Sequence, residues 1–168
     1  YISTPSFAIP NTGILTIEAW MKSTFYTNIH QVIVGNAGWS NTIGFIFMVR
    51  YQNSNNLRYE YASGTSYPSI TFSNFFQYLD NQWIHVVIAC DYSNKTINAY
   101  RNGVQFGTTQ NLTGTPVFPS ANNAKQIGAN TGGYNLTDGS LDEVRIYNRG
   151  LSDEEVATIY NQTKGNYQ

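Results

Sequence analysis

Short strand-like segments, separated by turn-forming residues, follow one another along the chain. Some alternate apolar and polar residues, the period of two typical of a strand with one buried face, and others are continuous apolar runs. Asn102-Gly103 stands between two of them, and both residues tolerate the positive φ angles of a type I′ hairpin turn. The pattern predicts ten strands, at residues 14–22, 31–34, 43–51, 57–62, 69–72, 83–91, 96–101, 104–108, 124–128 and 141–147.

A strong helix signal follows the last of these strands, in the stretch GLSDEEVATIYNQ. Ser152 and Glu155 have the spacing of a capping box, in which each side chain accepts a hydrogen bond from the other residue's backbone amide. Val156 begins an apolar stripe at helical spacing. We therefore expect a helix over residues 153–162 that packs against the strands.

Length and composition indicate one globular domain. A chain of 168 residues, 41% of them hydrophobic, can bury a sizeable core. Many short strands with regular turn signals predict an all-β fold, a two-sheet antiparallel jelly-roll sandwich with one short C-terminal helix. We expect a single domain over residues 1–168, excised from a larger protein whose other domains are among its partners.

Charge and cysteine content exclude several classes of function. The net charge is −1 and only 11% of residues are charged, which argues against nucleic-acid binding. No run of 18 apolar residues occurs, so we expect no membrane insertion. Cys90 is the single cysteine, which excludes an internal disulfide and a cysteine zinc site. It lies in an apolar run and is predicted to be a buried, unreactive thiol.

Three segments carry a family resemblance: LTIEAWMK, QWIHVVIACDYSNKTINAYRNGVQFG and GSLDEVRIYNRGLSDEEVATIY. Together they resemble the laminin-G-like jelly-roll domain of the concanavalin A-like lectin and glucanase superfamily. Ile84 replaces the first histidine of the family's W-H-H-V-A strand, and of the family's opening phrase only Tyr1 could be present. The resemblance implies that the last strand lies near the first strands, and that the helix covers an end of the sandwich.

Several polar and aromatic residues within the strands have a structural interpretation. Glu18 and Arg145 lie on the polar-facing period of strands that the resemblance brings together, so we expect a cross-strand ion pair. Trp20 and Trp83 are expected to belong to the core. His85 lies inside an apolar strand and is expected to be a core histidine with satisfied hydrogen bonds.

The acidic residues do not form a catalytic pattern. Glycoside hydrolysis needs two carboxylates about 5–10 Å apart across the sugar bond. No predicted strand carries two acids at i, i+2 or i, i+4. Asp142 and Glu143 are adjacent, so they point to opposite faces unless a bulge intervenes. The lyase strand motifs and a G-x-S-x-G elbow are also absent. We therefore expect no enzyme activity.

Three turn-rich stretches hold candidate ligand-binding residues, because sugars stack on aromatic faces and their hydroxyls bond to amides. The alternative is that Asn and Gly simply form turns and that a loop tryptophan caps the core. The stretches GNAGWSNT, SGTSYPS and GANTGGYNLTDG contribute the candidates Asn36, Trp39, Asn41, Tyr67, Asn130 and Tyr134.

The family resemblance also implies a calcium site in a rim loop. Carboxylate, amide and backbone oxygens are the ligands that Ca²⁺ prefers. Asp138 and Asp142 bracket the turn into the last strand and are the candidate calcium ligands. The alternatives are that Asp138 is a turn residue and that Asp142 accepts from backbone amides at a bulge.

These observations predict a non-catalytic recognition module, displayed extracellularly, on a cell surface or on a virion. The expected partner is a glycan or a cell-surface protein. One alternative is a structural or protein–protein assembly domain. A glycan-degrading enzyme is the weaker alternative, because the carboxylate pattern is missing.

Overall fold

Period-two segments fold into two stacked sheets. The structure, a computed structural model, describes residues 2–6, 14–24, 30–36, 44–49, 55–64, 66–117, 124–129 and 139–167. In this part of the chain the elements are β1 (Ile2–Ser6), β2 (Ile14–Ser23), β3 (Gln31–Gly35), β4 (Phe45–Val49), β5 (Leu57–Tyr61), β6 (Ser69–Phe72), β7 (Ile84–Asp91), β8 (Thr96–Arg101), β9 (Val104–Gln105), β10 (Gln110–Asn111), β11 (Ala124–Ile127), β12 (Gly139–Tyr147), α1 (Asp153–Thr163) and a 3₁₀ helix (Lys164–Asn166).

The strands pair antiparallel in two sheets of six. Sheet A has the order β1-β11-β3-β4-β5-β6, and sheet B has the order β10-β8-β7-β2-β12, with β9 paired to β8. Strand β12 pairs with β2, so the last strand lies beside one of the first, as the resemblance implied. The predicted antiparallel sandwich is confirmed.

The core lies between the sheets and is built by alternate residues of each strand. Ile17 and Ala19 of β2, and Ile88 of β7, face Phe47 of sheet A and its neighbours. Cys90 belongs to this core, and burial raises the pKa of its thiol to about 12. The thiol is therefore protonated at neutral pH, and the prediction of an unreactive cysteine is confirmed.

The C-terminal helix covers the outer face of sheet B. Ser152 caps it in a complete capping box with Glu155, as predicted. Val156 is buried with Val87 and Tyr100, which sit on the side of sheet B that points away from the core. The expectation that the helix covers an end of the sandwich was therefore wrong. Apolar residues on this outer face have to be shielded from water, and the amphipathic helix shields them.

Two strands escaped prediction and one turn was predicted correctly. Strand β1 contains Pro5 and pairs only with β11, at the edge of sheet A. Strand β10 has two residues, too few to produce a periodic signal. Asn102 and Gly103 have φ angles of 52° and 82°, which confirms the predicted hairpin turn.

Candidate functional site

A polar and aromatic cleft of about 530 Å³ opens where the end of β2, the turn before β7 and the C-terminal segment meet. We call it the Trp83 cleft. None of the described residues that line it is acidic, and they are Lys22, Asn81, Gln82, Trp83, Asn166 and Tyr167.

Stacked aromatic rings fix the wall of the Trp83 cleft. Trp20 is buried, and its ring stacks on Tyr167 with 4.2 Å between centroids. Its indole Nε1 donates to Thr163 Oγ1 at 3.0 Å, which ties sheet B to the end of α1. Trp83 then lies against Tyr167 with 5.0 Å between centroids. The buried ring of Trp20, which a ligand cannot reach, thus holds the two cleft aromatics Trp83 and Tyr167 in place.

The turn before β7 places the cleft amides. The backbone amide of Asn81 donates to the Ser23 carbonyl at 3.0 Å, so the turn is fastened to the end of β2. The side chain of Gln82 donates to the Tyr78 carbonyl at 3.3 Å. Asn81 and Tyr78 have positive φ angles, a conformation that non-glycine residues adopt at a cost. Tyr78 is also 81% exposed, although it does not line the cleft.

The polar groups of the Trp83 cleft are available to a ligand. Lys22 is half-buried, and its ammonium makes no ion pair with any residue in the described ranges. The side chains of Asn81 and Asn166 are exposed. Burial and a hydrogen bond to Asp142 raise the pKa of the Tyr167 hydroxyl to about 12, so it stays protonated at neutral pH. Aromatic faces, amides and one cation suit a polyhydroxylated ligand with an apolar side.

A second group of polar side chains lies on the same outer face of sheet B. We call Glu18, His85, Glu143 and Arg145 the Arg145 cluster. Arg145 Nη1 lies 2.5 Å from Glu18 Oε1, so the predicted cross-strand ion pair is confirmed. His85 Nε2 is 3.9 Å from Glu18 Oε2. Burial, with the Arg145 charge second, lowers the pKa of His85 to about 4.

Tyr160 of α1 covers His85, with 6.1 Å between the rings. Both His85 and Glu18 are 1% exposed. The expectation that His85 is buried is confirmed, but it lies on the outer face of sheet B and not between the sheets, and its Nδ1 has no hydrogen-bond partner among the residues that the structure describes. The histidine is therefore neutral at pH 7 and reachable neither by substrate nor by solvent.

A β-bulge turns Glu143 toward Arg145. The register of β12 against β2 shifts between Asp142 and Arg145, and Glu143 has a φ of 52°. The Glu143 carboxylate bonds to Arg145, so it shares a face with Glu18 despite its position next to Asp142. The guanidinium bonds to both carboxylates, and Glu18 is buried. The same guanidinium therefore neutralises both carboxylates, unlike the open carboxylate pair of a glycosidase.

Asp142 is engaged at this bulge. Its Oδ1 accepts from the Glu143 backbone amide at 2.8 Å, which is the backbone role that the sequence offered as the alternative to calcium binding. In the described ranges no group of three His, Cys, Asp or Glu residues could hold a metal ion. Asp138 lies outside those ranges, so calcium at Asp138 and Asp142 stays a prediction.

Asn36 and Tyr67 lie at the other end of the molecule from the Trp83 cleft. Asn36 is buried, and its Oδ1 accepts from the Phe45 amide at 3.0 Å, so it links β3 to β4. Phe45 pairs with Tyr61, whose amide donates to the carbonyl of Pro68, beside Tyr67. Three strand spacings of about 4.8 Å place Asn36 and Tyr67 about 14 Å apart at one end of sheet A.

Tyr67 is half-buried, and its hydroxyl has no hydrogen-bond partner in the part of the chain that is described. Burial raises its pKa, and the nearby Glu60 carboxylate raises it further. The other candidates fall outside the described residues: Trp39, Asn41, Asn130, Tyr134 and, for metal, Asp138. Ligand binding by all of these residues stays a prediction.

The sequence analysis missed the Trp83 cleft. Trp20 is buried as expected, but the expectation that Trp83 belongs to the core was wrong, because it is half-buried and lines the cleft. One signal was available. Trp83 follows the turn residues Asn81-Gln82 directly and precedes Ile84, the first inward residue of β7. Alternation from Ile84 places Trp83 on the outer face.

The family comparison agrees with this architecture. The family model of the concanavalin A-like lectin/glucanases superfamily matches residues 1–157. The chain belongs to this superfamily. No curated protein matches the chain in sequence. Both lectins and glucanases share the superfamily fold, so membership does not separate binding from catalysis. No helix in the described residues is long and apolar enough to cross a membrane.

Solved structures of concanavalin A-like architecture include several neurotoxin domains. The receptor-binding domain of botulinum neurotoxin mosaic serotype C/D matches with a TM-score of 0.68 and 15% identity over 90% of this chain and 37% of that one. The serotype D binding domain gives 0.67 and 15% over 95% and 37%. The type G domain gives 0.65 and 17% over 89% and 38%. The chain thus spans little more than a third of each, and the likeness concerns the fold.

Proposed function

We propose that the chain is a non-catalytic carbohydrate-recognition module that binds glycans in the Trp83 cleft. The observation that carries this proposal is the aromatic wall of Trp83 and Tyr167, fixed by buried Trp20 and faced by the exposed amides of Asn81 and Asn166. Ligand pockets commonly combine such apolar surface with a few polar groups that set orientation.

Binding would use the two kinds of surface that a sugar ring offers. The C–H face of a pyranose stacks on the rings of Trp83 and Tyr167, which removes apolar surface from water. The side chains of Asn81 and Asn166 can both donate to and accept from hydroxyl groups. Because Trp20 and Thr163 already hold the aromatic wall, little conformational entropy is lost on binding.

The comparisons support recognition rather than hydrolysis. The superfamily contains lectins as well as glucanases. The structural matches reported above are receptor-binding domains, and cell entry of botulinum neurotoxin type C depends on interaction with two ganglioside molecules. In this chain Glu18 and Glu143, two carboxylates on the outer face of sheet B, both bond to Arg145. We infer display at a cell surface or on a virion, where glycans are the available partners.

Titration of the purified domain with glycans selected on an array tests the proposal. Trp83→Ala is expected to weaken binding at least tenfold, since the sugar ring loses one of its stacking surfaces. Asn166→Ala is the second variant, because its exposed side chain can be removed without disturbing the fold. Trp39→Ala is the matched control, a tryptophan from the rival group of candidates.

Absence of glycan binding by the intact domain would overturn the proposal. So would binding that Trp39→Ala abolishes while Trp83→Ala and Asn166→Ala leave it unchanged, because the site would then lie elsewhere. Incubation of the domain with the glycan that it binds tests whether the module is non-catalytic. Release of a shorter sugar would show that the module is catalytic.

A further inference from the structure

We infer that the Trp83 cleft selects glycans that carry an anionic group, and that Lys22 is the residue that selects them. The inference rests on the proposed function and adds a ligand class to it. Its starting point is an ammonium group placed beside an aromatic wall, in a cleft whose described lining residues include no acid.

Lys22 differs from three of the described arginines, which are paired with carboxylates. Arg58 is paired with Glu60, Arg145 with Glu18, and Arg149 with Glu155. The ammonium of Lys22 has no such partner among the described residues, although its side chain is half-buried at the end of β2. A cation at a half-buried position, with no described counter-ion, favours an incoming anion, because nearby protein screens the attraction less than water does.

The backbone fixes where that charge lies. Lys22 pairs in register with Ser140, and Trp20, two residues earlier on the same face, pairs with Asp142. Alternation along β2 therefore sets Lys22 next to Trp20, on the side of the strand where Tyr167 stacks. A sugar stacked on Tyr167 or Trp83 would carry its substituents toward the ammonium.

Two carboxylates near the cleft have other partners. Asp142 accepts from the Glu143 amide and from the Tyr167 hydroxyl. Asp80 precedes Asn81 in the turn but does not line the cleft. Asp142 still contributes negative charge beside Tyr167, so it should weaken binding of an acidic sugar. Its removal is therefore expected to act in the opposite direction to removal of Lys22.

The anionic group could be the carboxylate of a sialic or uronic acid, or a sulfate ester. All of these accept charge-assisted hydrogen bonds from an ammonium. Lysine acts as a compact point charge and does not demand the paired geometry that arginine imposes. The inference therefore fixes the charge of the ligand, and the arms of the experiment distinguish carboxylate from sulfate.

The test compares lactose, 3′-sialyllactose and lactose 3′-sulfate by calorimetric titration of the intact domain. We expect the wild type to prefer at least one of the two acidic sugars about tenfold or more over lactose. Lys22→Met should abolish the preference, by weakening binding of the acidic sugars far more than binding of lactose. Lys22→Arg should restore it, and Asp142→Asn should increase it. The preference should also shrink as salt rises, because ions screen the exposed part of the contact.

The outcomes separate this inference from the proposed function. Equal affinity of the wild type for lactose and both acidic sugars, with loss of binding in Trp83→Ala, would overturn the role of Lys22 and leave glycan binding intact. A preference that Lys22→Met retains would do the same. Failure of all three sugars, and of an array containing matched neutral, sialylated and sulfated glycans, would overturn both.

Discussion

The Arg145 cluster and the Trp83 cleft lie on the same outer face of sheet B, yet their polar groups are arranged differently. In the cluster, Glu18 and Glu143 neutralise Arg145 while α1 covers His85. In the cleft, the ammonium of Lys22 has no described counter-ion, and Trp83 remains half-buried. The difference is one of coverage and pairing, because both regions take a charged residue from β2 and lie beside an aromatic ring of the C-terminal segment.

This comparison shows how charged residues separate into structural and functional roles. A covered polar group has to be satisfied within the fold, because an unpaired buried charge is costly. An uncovered polar group is hydrated by water and can remain available to a ligand. Substitutions in the cluster should therefore change stability and spare binding, and substitutions in the cleft should do the reverse.

Removal of Arg145 should have the largest effect on stability. Arg145→Met leaves the Glu18 carboxylate buried without its cation, and we expect a loss of about 3 kcal/mol in the free energy of unfolding. Urea denaturation measures it. Arg149→Met is the control, since the Arg149–Glu155 pair is exposed and should contribute about 0–1 kcal/mol. Equal losses in the two variants would mean that burial of Glu18 does not raise the contribution of its ion pair to stability.

His85 should make stability depend on pH. Its pKa of about 4 in the fold lies below the ordinary 6.5, so the unfolded chain binds the extra proton between these values. Stability should therefore fall as pH drops from 6.5 to 4, and this residue should account for about 3 kcal/mol of the loss. In His85→Gln the difference between pH 7 and pH 4 should shrink by that amount. An unchanged difference would show that His85 takes up its proton while folded.

Gly103 should report how closely the helix covers sheet B. An added Cβ would lie 2.9 Å from a ring carbon of Tyr160, at a φ of 82°. We expect Gly103→Ala to cost about 2 kcal/mol, from backbone strain and steric conflict together. Gly107→Ala is the matched control, because its φ is 71° and no atom lies within 4 Å. Thermal unfolding measures both variants. The amount by which Gly103→Ala is more destabilising than Gly107→Ala reports the contact with the helix.

The helix cap should have a smaller effect. Ser152 Oγ accepts from the Glu155 amide at 3.2 Å, and Ser152→Ala is expected to cost about 1 kcal/mol. Because fraying begins at Ser152, at the far end of α1 from Thr163, binding in the Trp83 cleft should persist. Loss of glycan affinity in Ser152→Ala would instead show that the whole helix, and not only its end, positions Tyr167.

Lys22→Met should have the smallest effect on stability, about 0.5 kcal/mol or less, because no described ion pair is lost. Thermal unfolding beside the titrations described above measures it. A loss as large as that of Arg145→Met would place Lys22 among the structural charges and remove the contrast between the two regions.

Much of the fold was predictable because its signals are local. Predicted strands 69–72 and 96–101 coincide with β6 and β8, and the helix was placed within a residue of its observed end. Turn and cap signals of this kind depend on residues a few positions apart. The Glu18–Arg145 pair needed the family layout as well, since 127 positions separate the two residues.

Tertiary structure alone decided which face the helix covers and where the cleft opens. The bulge that turns Glu143 toward Arg145 depends on the pairing of β12 with β2, which no local pattern encodes. The Trp83 cleft joins residues 22, 81–83 and 166–167, and their proximity follows from the docking of α1 on Trp20. The sequence by itself determined the strands, the turns and the cap, because those depend on neighbours in the chain. Only packing decided which charged groups were covered and which stayed at the surface of the cleft.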